Sequence, residues 1–514
     1  MSNSTLSAPP HLSVQHQRSL QYTLVDQHIN YTQAQHTIDL IATEYNVRNP
    51  RTGQDDFSFT TLDHHAFKQL NHTLRYAQVE WYAKGIEHRC RVFLAWHKAV
   101  IQARDHLIEA LSIDTGRYHE SVLEVDLLIQ SIEQWTKIAP PLLQQISTTP
   151  TQVSNIKWID HRSHMLPYPL VAVISPWNFP LLLACIDALP ALMAGCAVML
   201  KPSEITPRFI EPLMKTIREV DELAGVFSVV YGGGEMGRAL VSCADFVCFT
   251  GSVATGKKVA QACSQRLIAA SLELGGKDPA ILLPQTDLQR AVPALVWGSM
   301  VNAGQSCLSI ERVYVHESQF DECLTLMQQH IAQLQLNDKD MKAGQIGPVI
   351  AHRQAEIHQQ HLQDAIALGA HVHVGGEVVE RQGGLYCLPT LLSQVSHTMQ
   401  VMHTETFGPI LPVMTYQDIE QAIQWANATQ YGLSAAILGP QEEETLYWAQ
   451  FLACGAISVN DAALTSMVHG AEKQAFKDSG LGGSRMGIAS IRRFMRAQAL
   501  LMNRADHGNP WWFV

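Results

Sequence analysis

Five short apolar runs follow one another between Leu170 and Leu274, and helical segments separate them. The runs read LVAVIS (170–175), CAVMLK (196–201), FSVVYG (227–232), DFVCFT (245–250) and RLIAASLEL (266–274). Strands that are apolar on both faces are typical of a parallel sheet covered by helices, and right-handed crossovers make such a sheet doubly wound. The stretch therefore predicts an α/β fold in which five strands alternate with four helices. Pro180 and Pro207 are expected to begin two of those helices.

The sequence on either side predicts further elements. From about Ser58 to Lys137, apolar residues recur at three- and four-residue steps, which indicates long amphipathic helices, and Gly116 is expected to end one of them. From Asp278 onward a second α/β unit is expected, with the strand DPAILL, a helix through 291–304, the strand RVYVH and a helix over about 318–335. The C-terminal part predicts a glycine-rich loop, a basic helix and the aromatic tail PWWFV (510–514).

The composition excludes several classes of protein. A chain of 514 residues with 46% hydrophobic and 16% charged residues is typical of a core-rich globular protein and not of a disordered one. The net charge of −11, with no run of Lys and Arg, argues against nucleic acid as a partner. The ten cysteines include no C-x-x-C pair, which favours reduced thiols and a cytoplasmic location.

One apolar stretch has the length of a membrane span. It runs from Leu181 to Leu200, but Asp187, Pro190 and Gly195 interrupt it. A buried helix followed by a buried strand explains the same residues. No membrane span is therefore expected.

The motif PWNFP (176–180) comes directly after the first predicted strand. Doubly wound sheets bind their ligands at the carboxyl ends of the strands, which is where this motif is expected to lie. The side-chain amide of Asn178 could there donate an N–H to a developing oxyanion. Taken alone, the motif is more typical of a turn asparagine beside two prolines.

The motif KPSE (201–204) ends the second predicted strand and brings a cation and a carboxylate to the same edge of the sheet. Lys201 and Glu204 could both hydrogen-bond to the hydroxyls of a ribose. The carboxylate would also repel a 2′-phosphate, which favours NAD over NADP. A solvated surface ion pair is the alternative interpretation.

The motif FTGS (249–252) ends a strand and opens a helix that has no acidic residue at its start, and Gly256 follows one turn later. The free N–H groups and the dipole at such a helix start can bind a pyrophosphate. We therefore consider Gly251 and Ser252 the best candidates for a phosphate contact.

A second glycine-rich turn, GGGEMG (232–237), matches the pattern G-x-G-x-x-G after a strand. That pattern is weak by itself, and the acidic residue inside it places negative charge beside any phosphate. We rank Gly234 in this turn below the FTGS motif.

Glu273, in ELGGK (273–277), and Cys307, in GQSC (304–307), are candidates for a base and a nucleophile. A thiol in a glycine-containing loop can be exposed and reactive, and a carboxylate at a neighbouring strand end can act as its base. Because nine other cysteines are present and most cysteines are core residues, spacing alone does not select Cys307.

Together these motifs resemble those of the aldehyde dehydrogenase superfamily, and the resemblance extends from Asn49 to about Gly487. It is carried by seven motifs in order: PWNFP (176–180), KPSE (201–204), FTGS (249–252), ELGGK (273–277), GQSC (304–307), ETFGP (405–409) and YGLSA (431–435). The ordered set makes the resemblance specific, whereas each motif alone is weak.

The resemblance implies a role for each matching residue. Cys307 would be the nucleophile and Glu273 the general base, and Asn178 with the Cys307 backbone N–H would form the oxyanion hole. Lys201 is implied as a further catalytic residue. The implied contacts to NAD, with NADP as the less favoured cofactor, are Trp177, Lys201, Glu204, Gly234, Gly251, Ser252, Gly256, Glu405 and Phe407.

The resemblance also implies an architecture. After a polar leader (1–48), a cofactor domain (49–155 and 167–277) and a catalytic α/β domain (278–475) would follow, with a small β arm and tail (156–166 and 488–514) that joins copies into a homodimer or homotetramer. Two departures border the substrate entrance: EKQA (472–475) replaces the usual P-F-G-G, and Gly483 stands where arginine is common. The identity of the aldehyde therefore stays open.

The implied reaction is the NAD-dependent oxidation of an aldehyde to a carboxylate through a thioester on Cys307, which water activated by Glu273 hydrolyses. A CoA-acylating enzyme is the first alternative, and the retained Glu273 argues against it. The second alternative is a catalytically silent binding or structural protein of the same fold. Loss of Cys307 or Glu273 would indicate such a protein, and both residues are present. The pairs His64-His65 and His371-x-His373 lack further ligands at metal-binding spacing, so no metal site is expected.

Overall fold

The computed structural model of the protein describes residues 22–23, 25–27, 38–147, 151–155 and 158–505. Most of the predicted polar leader, the first residues of the predicted arm (156–157) and the tail PWWFV lie outside the described residues.

The helices and strands of the described residues alternate along most of the chain. The helices are α1 His64–Ala83, α2 Gly85–Gln102, α3 Arg104–Thr115, α4 His119–Ser147, α5 Pro180–Ala194, α6 Ile210–Arg218, α7 Asp221–Ala224, α8 Gly234–Cys243, α9 Val253–Gln265, α10 Leu288–Met300, α11 Phe320–Ala332, α12 His352–Ala367, α13 Gln400–His403, α14 Ile419–Asn427, α15 Glu442–Ala449 and α16 Ala489–Arg492. The strands are β1 Glu44–Arg48, β2 Asp55–Thr60, β3 Gln152–Val153, β4 Ile159–Pro167, β5 Leu170–Ile174, β6 Ala197–Lys201, β7 Phe227–Val229, β8 Phe246–Thr250, β9 Ala269–Glu273, β10 Asp278–Leu282, β11 Ile310–His316, β12 His371–Val374, β13 Val378–Arg381, β14 Gly384–Cys387, β15 Thr390–Ser393, β16 Ile410–Tyr416, β17 Ser434–Leu438, β18 Ala456–Val459, β19 Gly480–Leu481 and β20 Met495–Asn503.

The first large sheet confirms the predicted doubly wound fold. Strands β5 to β9 are parallel and lie in the order β9-β8-β5-β6-β7. The chain therefore winds outward from β5 in one direction and then from β8 in the other. A crevice for a ligand is expected outside the carboxyl ends of β5 and β8, where the winding direction changes.

Three details of the predicted elements were wrong. The helix expected from Pro207 begins at Ile210, because the residues before it form a turn closed by a 3.0 Å hydrogen bond from the Ile210 N–H to the Pro207 carbonyl. The short helix α7 is additional, and Ser58 lies in strand β2 and not in a helix. The expected helix end at Gly116 is confirmed, since Gly116 caps α3 with a left-handed φ of 68°.

The apolar stretch from Leu181 to Leu200 forms helix α5 and most of strand β6, as expected. Nearly every residue of α5 is buried against the sheet and the helices beside it, and β6 is buried throughout. Over the described part of the chain, we find no helix with the length and apolar character needed to cross a membrane.

The second large sheet has the strand order β12-β15-β16-β11-β10-β17-β18, and all its neighbours are parallel except β12 and β15. Its first strand begins at Asp278, directly after the end of the first sheet, and the predicted β10, α10, β11 and α11 are present. After β18 the chain returns to the first sheet, where β19 pairs antiparallel with β9.

A third, three-stranded sheet has the order β20-β4-β3. Strand β20 pairs with β4 from Met495 opposite Pro167 to Asn503 opposite Ile159. The basic helix predicted in this part of the chain is present as α16, which carries Arg492 at its end, but it makes only one turn and the residues after it form β20. Pairing with β4 outweighs the helical preference of the sequence MRAQALLMN.

Candidate active site

Two adjoining cavities lie at the carboxyl ends of β5 and β8, where the crevice was expected. The outer groove has a volume of about 760 Å³ and the inner cavity about 220 Å³. Both are lined by the segment Pro176–Trp177 and by Thr250, Gly251 and Ser252, so the two cavities share one wall.

The outer groove contains most of the predicted cofactor contacts, namely Trp177, Lys201, Glu204, Gly234, Gly251 and Ser252. The Lys201 Nζ lies 3.0 Å from Oε2 of Glu204. Lys201 is buried at the end of β6, whereas the Glu204 side chain keeps 39% of its surface exposed. Lys201 does not line the inner cavity, so its charge lies with the groove and not with the thiol.

Ser252 caps the start of α9, and its Oγ accepts a 3.4 Å hydrogen bond from the Thr255 N–H. The first turn of this helix has no acidic residue, so its free N–H groups can face an anion at the groove. Gly256 lines neither cavity. A Cβ on Gly256 would lie 2.4 Å from Cδ2 of Leu274, so this glycine lets α9 pack closely on the chain after β9.

These features fit a dinucleotide. The groove is lined by a cation, a carboxylate and a helix start without negative charge, and it adjoins the inner cavity. A search of the described residues for three or more His, Cys, Asp or Glu side chains that could hold a metal ion finds no such group.

The inner cavity contains the thiol of Cys307 together with Asn178, Glu405 and Phe407. After α10 the chain turns sharply through three residues with left-handed φ values, Asn302 (57°), Ala303 (51°) and Gly304 (67°). Two of these are not glycine, and such a backbone is uncommon for them. The turn leaves Cys307 half-buried at the cavity wall, while seven of the other cysteines are buried.

Burial raises the pKa of the Cys307 thiol to about 12. The positive charge of Lys473 opposes this rise, and the negative charge of Glu273 adds to it. The thiol is therefore protonated at neutral pH in the cofactor-free protein. For a reaction at this sulfur, either a base must remove the thiol proton or a nearby positive charge must stabilise the thiolate.

Asn178 is buried, and its side-chain Nδ2 donates a 3.0 Å hydrogen bond to the backbone carbonyl of Gln305. The Asn302 side chain donates to the same carbonyl at 2.8 Å and to the Asn178 carbonyl at 3.2 Å. These bonds connect the chain after β5 to the loop that carries Cys307. An amide nitrogen has two N–H groups, so the second N–H of Asn178 stays available at the cavity.

Glu405 and Phe407 also line the inner cavity. Oε1 of Glu405 accepts a 3.0 Å hydrogen bond from the Gly276 N–H. Burial, and then the charge of Glu311, raise the pKa of the Glu405 carboxyl to about 8. The Phe407 ring meets the Trp177 ring edge to face, with 5.4 Å between the ring centres.

Glu273 is the last residue of β9 and is half-buried. Its backbone carbonyl accepts a 3.1 Å hydrogen bond from the Gly251 N–H, which fixes the end of β9 beside the FTGS motif. Its side chain lines neither cavity, although its charge acts on the Cys307 thiol.

The aldehyde dehydrogenase family model matches residues 39–500 of the chain, which is more than the motifs alone covered. The chain belongs to the aldehyde dehydrogenase family. Its fold is one that binds a nicotinamide dinucleotide, and the predicted fold and family are confirmed.

Three similar proteins illustrate the range of this family. A Mycolicibacterium smegmatis protein named putative succinate-semialdehyde dehydrogenase (NADP+) is 32% identical over 443 residues, which are 85% of this chain and 84% of that protein. The structure of a putative aldehyde dehydrogenase from Anabaena variabilis is 49% identical, with a TM-score of 0.89, and the match covers 92% of this chain and 100% of that one. The structure of betaine aldehyde dehydrogenase from Staphylococcus aureus in complex with NAD+ is 26% identical, with a TM-score of 0.84 and 91% and 96% covered.

Sequence reasoning missed a buried ion pair behind the site of this aldehyde dehydrogenase. Arg117 Nη2 lies 3.4 Å from Oε1 of Glu124, and Arg117 also donates a hydrogen bond to the Asn302 side chain. Oε2 of Glu124 accepts the N–H groups of Leu181 and Leu182, both at 3.0 Å, at the start of α5. The sequence around Glu124 indicates only an amphipathic helix, which contains no signal for this contact.

Proposed function

We propose that this aldehyde dehydrogenase oxidises an aldehyde to its carboxylate with NAD, through a covalent intermediate on Cys307. The observation that carries the proposal is the wall shared by the two cavities. Trp177, Gly251 and Ser252 line both the outer groove and the inner cavity that contains the Cys307 thiol. A dinucleotide in the groove would therefore reach the cavity in which the thiol meets a carbonyl group.

Several residues of the chain would hold the cofactor. Lys201 and Glu204 would bind the adenosine ribose, and the start of α9 at Ser252 would bind the pyrophosphate. Glu405 and Phe407 would contact the nicotinamide ribose and ring. When bound, the nicotinamide supplies the acceptor for the hydride that leaves the aldehyde carbon.

Cys307 is the nucleophile of the proposed reaction. The thiol first loses its proton to water or a base, and the resulting thiolate sulfur then bonds to the carbonyl carbon while the π electron pair of the C=O bond moves to the oxygen, which becomes an alkoxide. Loss of hydride from that carbon would re-form the C=O bond as a thioester. One N–H of the Asn178 side chain donates to the Gln305 carbonyl. The other N–H would donate to the alkoxide oxygen and stabilise it. A donor of this kind is typically worth about 3–4 kcal/mol of the barrier.

Glu273 is the proposed base for the second half of the reaction. It takes a proton from the water that attacks the thioester carbon, which breaks the carbon–sulfur bond and releases the carboxylate and the thiol. Its place at the end of β9, within electrostatic reach of Cys307, supports this role. An enzyme that transfers the acyl group to CoA would not need this base.

The carboxylate of Glu204 supports NAD as the preferred cofactor, because it would repel a 2′-phosphate. The M. smegmatis protein carries NADP+ in its name, so the preference needs a direct measurement. Dissociation constants for NAD and NADP, measured by calorimetry on wild type and Glu204→Gln, decide it. The proposal is supported if wild type binds NAD more tightly than NADP and Glu204→Gln reduces the difference between the two dissociation constants. Tighter binding of NADP than of NAD by wild type contradicts it.

We propose that the sheet of β3, β4 and β20 joins two or more copies of the chain. Its edge strands present Val153 and Leu501 with 75% and 71% of their surface exposed.

All ten cysteines are unpaired in the structure, which supports a reducing location such as the cytoplasm.

An aldehyde panel tests the proposed reaction. Aliphatic, aromatic, amino- and carboxy-substituted aldehydes are assayed for NADH formation with NAD or NADP, each with and without CoA. The proposal predicts oxidation without CoA by wild type and none by Cys307→Ala, which should still bind NAD. A strict need for CoA, or substantial turnover by Cys307→Ala, would refute it.

A further inference from the structure

The loop that carries Glu405 and Phe407 rests on a buried ion pair. Lys277, directly before β10, and Glu311, in β11, approach to 2.6 Å between Nζ and Oε2. Their side chains are only 0% and 2% exposed. Neither residue lines the outer groove or the inner cavity.

Both partners of this ion pair bond to the same short loop. Oε2 of Glu311 accepts the N–H of Thr406 at 2.8 Å, and Oε1 accepts the N–H of Phe407 at 2.7 Å. The Lys277 Nζ also donates a 3.0 Å hydrogen bond to Oγ1 of Thr406. The carboxylate thus binds two successive backbone N–H groups, which is the arrangement by which a backbone holds an anion.

The loop held by Glu311 has an uncommon backbone at Phe407. Its φ is 54°, a left-handed value that is rare for a residue with a side chain. The same backbone directs the Phe407 ring toward Trp177 and leaves the Glu405 carboxyl at the Gly276 N–H.

The remaining polar groups of the loop are bound by helix α12. Gln354 donates to the Thr406 carbonyl at 2.7 Å, and His358 Nε2 lies 3.0 Å from the Phe407 carbonyl. The loop also packs on the Cys307 loop, since a Cβ on Gly304 would lie 2.2 Å from the carbonyl carbon of Gly408. A displacement of the ion pair would therefore be transmitted to the inner cavity.

We propose that Lys277 and Glu311 are positioning residues for the cofactor, acting through the loop 405–408. Their ion pair fixes this loop so that the Glu405 carboxyl and the Phe407 ring present a preformed surface to the nicotinamide end of a dinucleotide. The inference rests on the cofactor contacts proposed above for Glu405 and Phe407.

The general cost of buried ion pairs supports this role. Burying two charges costs desolvation energy, and apolar residues of similar size can often replace such a pair without loss of stability. A second buried ion pair, Arg75–Asp245 at 2.8 Å, offers a matched control. Asp245 lies before β8, and its Oδ2 accepts the Leu170 N–H at the start of β5. Neither Arg75 nor Asp245 lines the outer groove or the inner cavity.

Three variants separate positioning from stability. Glu311→Gln removes the negative charge, and the double variant Lys277→Met/Glu311→Leu removes both charges. Thr406→Val removes only the hydroxyl that contacts Lys277 and His361. The control is Arg75→Met/Asp245→Leu. The first readout is hydrogen exchange of the segment 404–409 without cofactor, and the second is the Kd for NAD by calorimetry with Cys307→Ala added to every variant. Neither readout needs aldehyde or turnover.

We expect exchange of the Thr406 and Phe407 amides to become about tenfold faster or more in Glu311→Gln and in the double variant, because each loses a charged acceptor. The Kd for NAD should rise about tenfold in the same variants, and the control variant should change neither quantity. Thr406→Val should show smaller changes in the same direction, and it decides the matter if the charge variants do not fold. Unchanged exchange, or faster exchange with an unchanged Kd for NAD, would overturn the proposal. If wild type bound NAD but oxidised no aldehyde, the proposed reaction would fail while this inference would still be decided by the two readouts.

Discussion

The side-chain amide of Asn178 donates a 3.0 Å hydrogen bond to the backbone carbonyl of Gln305, two residues before the Cys307 thiol. Asn178 follows a strand of the first large sheet, whereas Gln305 precedes a strand of the second. One hydrogen bond thus fixes the proposed oxyanion donor and the loop of the proposed nucleophile relative to each other before any ligand binds. Preorganised donors of this kind are effective because they need not reorient during the reaction.

Asn178→Ala tests this arrangement. Loss of the free N–H should lower kcat by roughly 10²–10³-fold, as removal of an oxyanion donor does in other enzymes. The Kd for NAD should stay near the wild-type value, since Asn178 does not line the outer groove. Steady-state kinetics and calorimetry measure the two quantities. A kcat close to that of wild type would contradict the oxyanion role.

Arg117→Met tests the ion pair behind the site. The variant leaves the buried Glu124 without its partner, so the free energy of unfolding should fall by about 3–5 kcal/mol. It also removes the hydrogen bond to Asn302, so kcat should fall. The double variant Arg117→Met/Glu124→Gln should recover stability in urea unfolding but not kcat. Recovery of both would mean that the pair acts on stability alone.

The buried carboxyl of Glu405 predicts a pH dependence of stability. Its pKa is raised from 4.5 to about 8 in the folded protein, chiefly by burial. Between these values the folded state retains a proton that the unfolded state has released, so this group makes unfolding more favourable as the pH rises. The effect starts near the unfolded pKa and is complete above about pH 8.

Glu405→Gln should therefore lose part of the decline in the free energy of unfolding between pH 5 and 8. The difference between wild type and variant should be at most about 1.4 kcal/mol per pH unit. Urea unfolding at several pH values measures it, and the comparison cancels the other buried carboxyls. Parallel pH profiles for the two proteins would be inconsistent with a raised pKa at Glu405.

Lys473 predicts an effect on the reactivity of the thiol. Its positive charge holds the pKa of Cys307 below the value that burial alone would give. Lys473→Met should therefore slow the alkylation of Cys307 by iodoacetamide at pH 8 in the cofactor-free protein. Lys477→Met is the matched control. Lys477 lies four residues after Lys473, but its Nζ donates to the Asn427 and Thr429 carbonyls. Equal alkylation rates for wild type and Lys473→Met, measured by peptide mass spectrometry, would refute the effect.

The parts of the fold that sequence predicted are those in which local pattern and burial agree. The apolar runs of β5, β6 and β8 are buried on both faces, and their order along the chain implies the doubly wound sheet. Because the carboxyl ends of parallel strands lie at the same edge of a sheet, the motifs that follow these strands were expected to lie together at that edge. The local pattern of residues 495–503 does not predict strand β20, because its partner β4 lies far earlier in the chain, and only the family resemblance implied a β arm from these two segments.

The candidate site was predictable only where a motif marks it. Asn178, Cys307, Glu405 and Phe407 belong to motifs, and they line one cavity. Glu311 lies in strand β11 outside the recognised motifs, and its two bonds to the loop at Thr406 and Phe407 depend on a long-range approach of chain segments. The packing role of Gly256 likewise depends on Leu274, which the sequence alone does not bring near it.

A single-turnover experiment on Glu273→Gln tests the central claim most directly. The variant is mixed with NAD and a substrate aldehyde, NADH is followed by fluorescence, and the protein is then digested for mass spectrometry. The account predicts a burst of about one NADH per subunit, slow turnover afterwards, and an acyl group on the peptide that contains Cys307. A steady rate equal to that of wild type, or an acyl group on another residue, would contradict it.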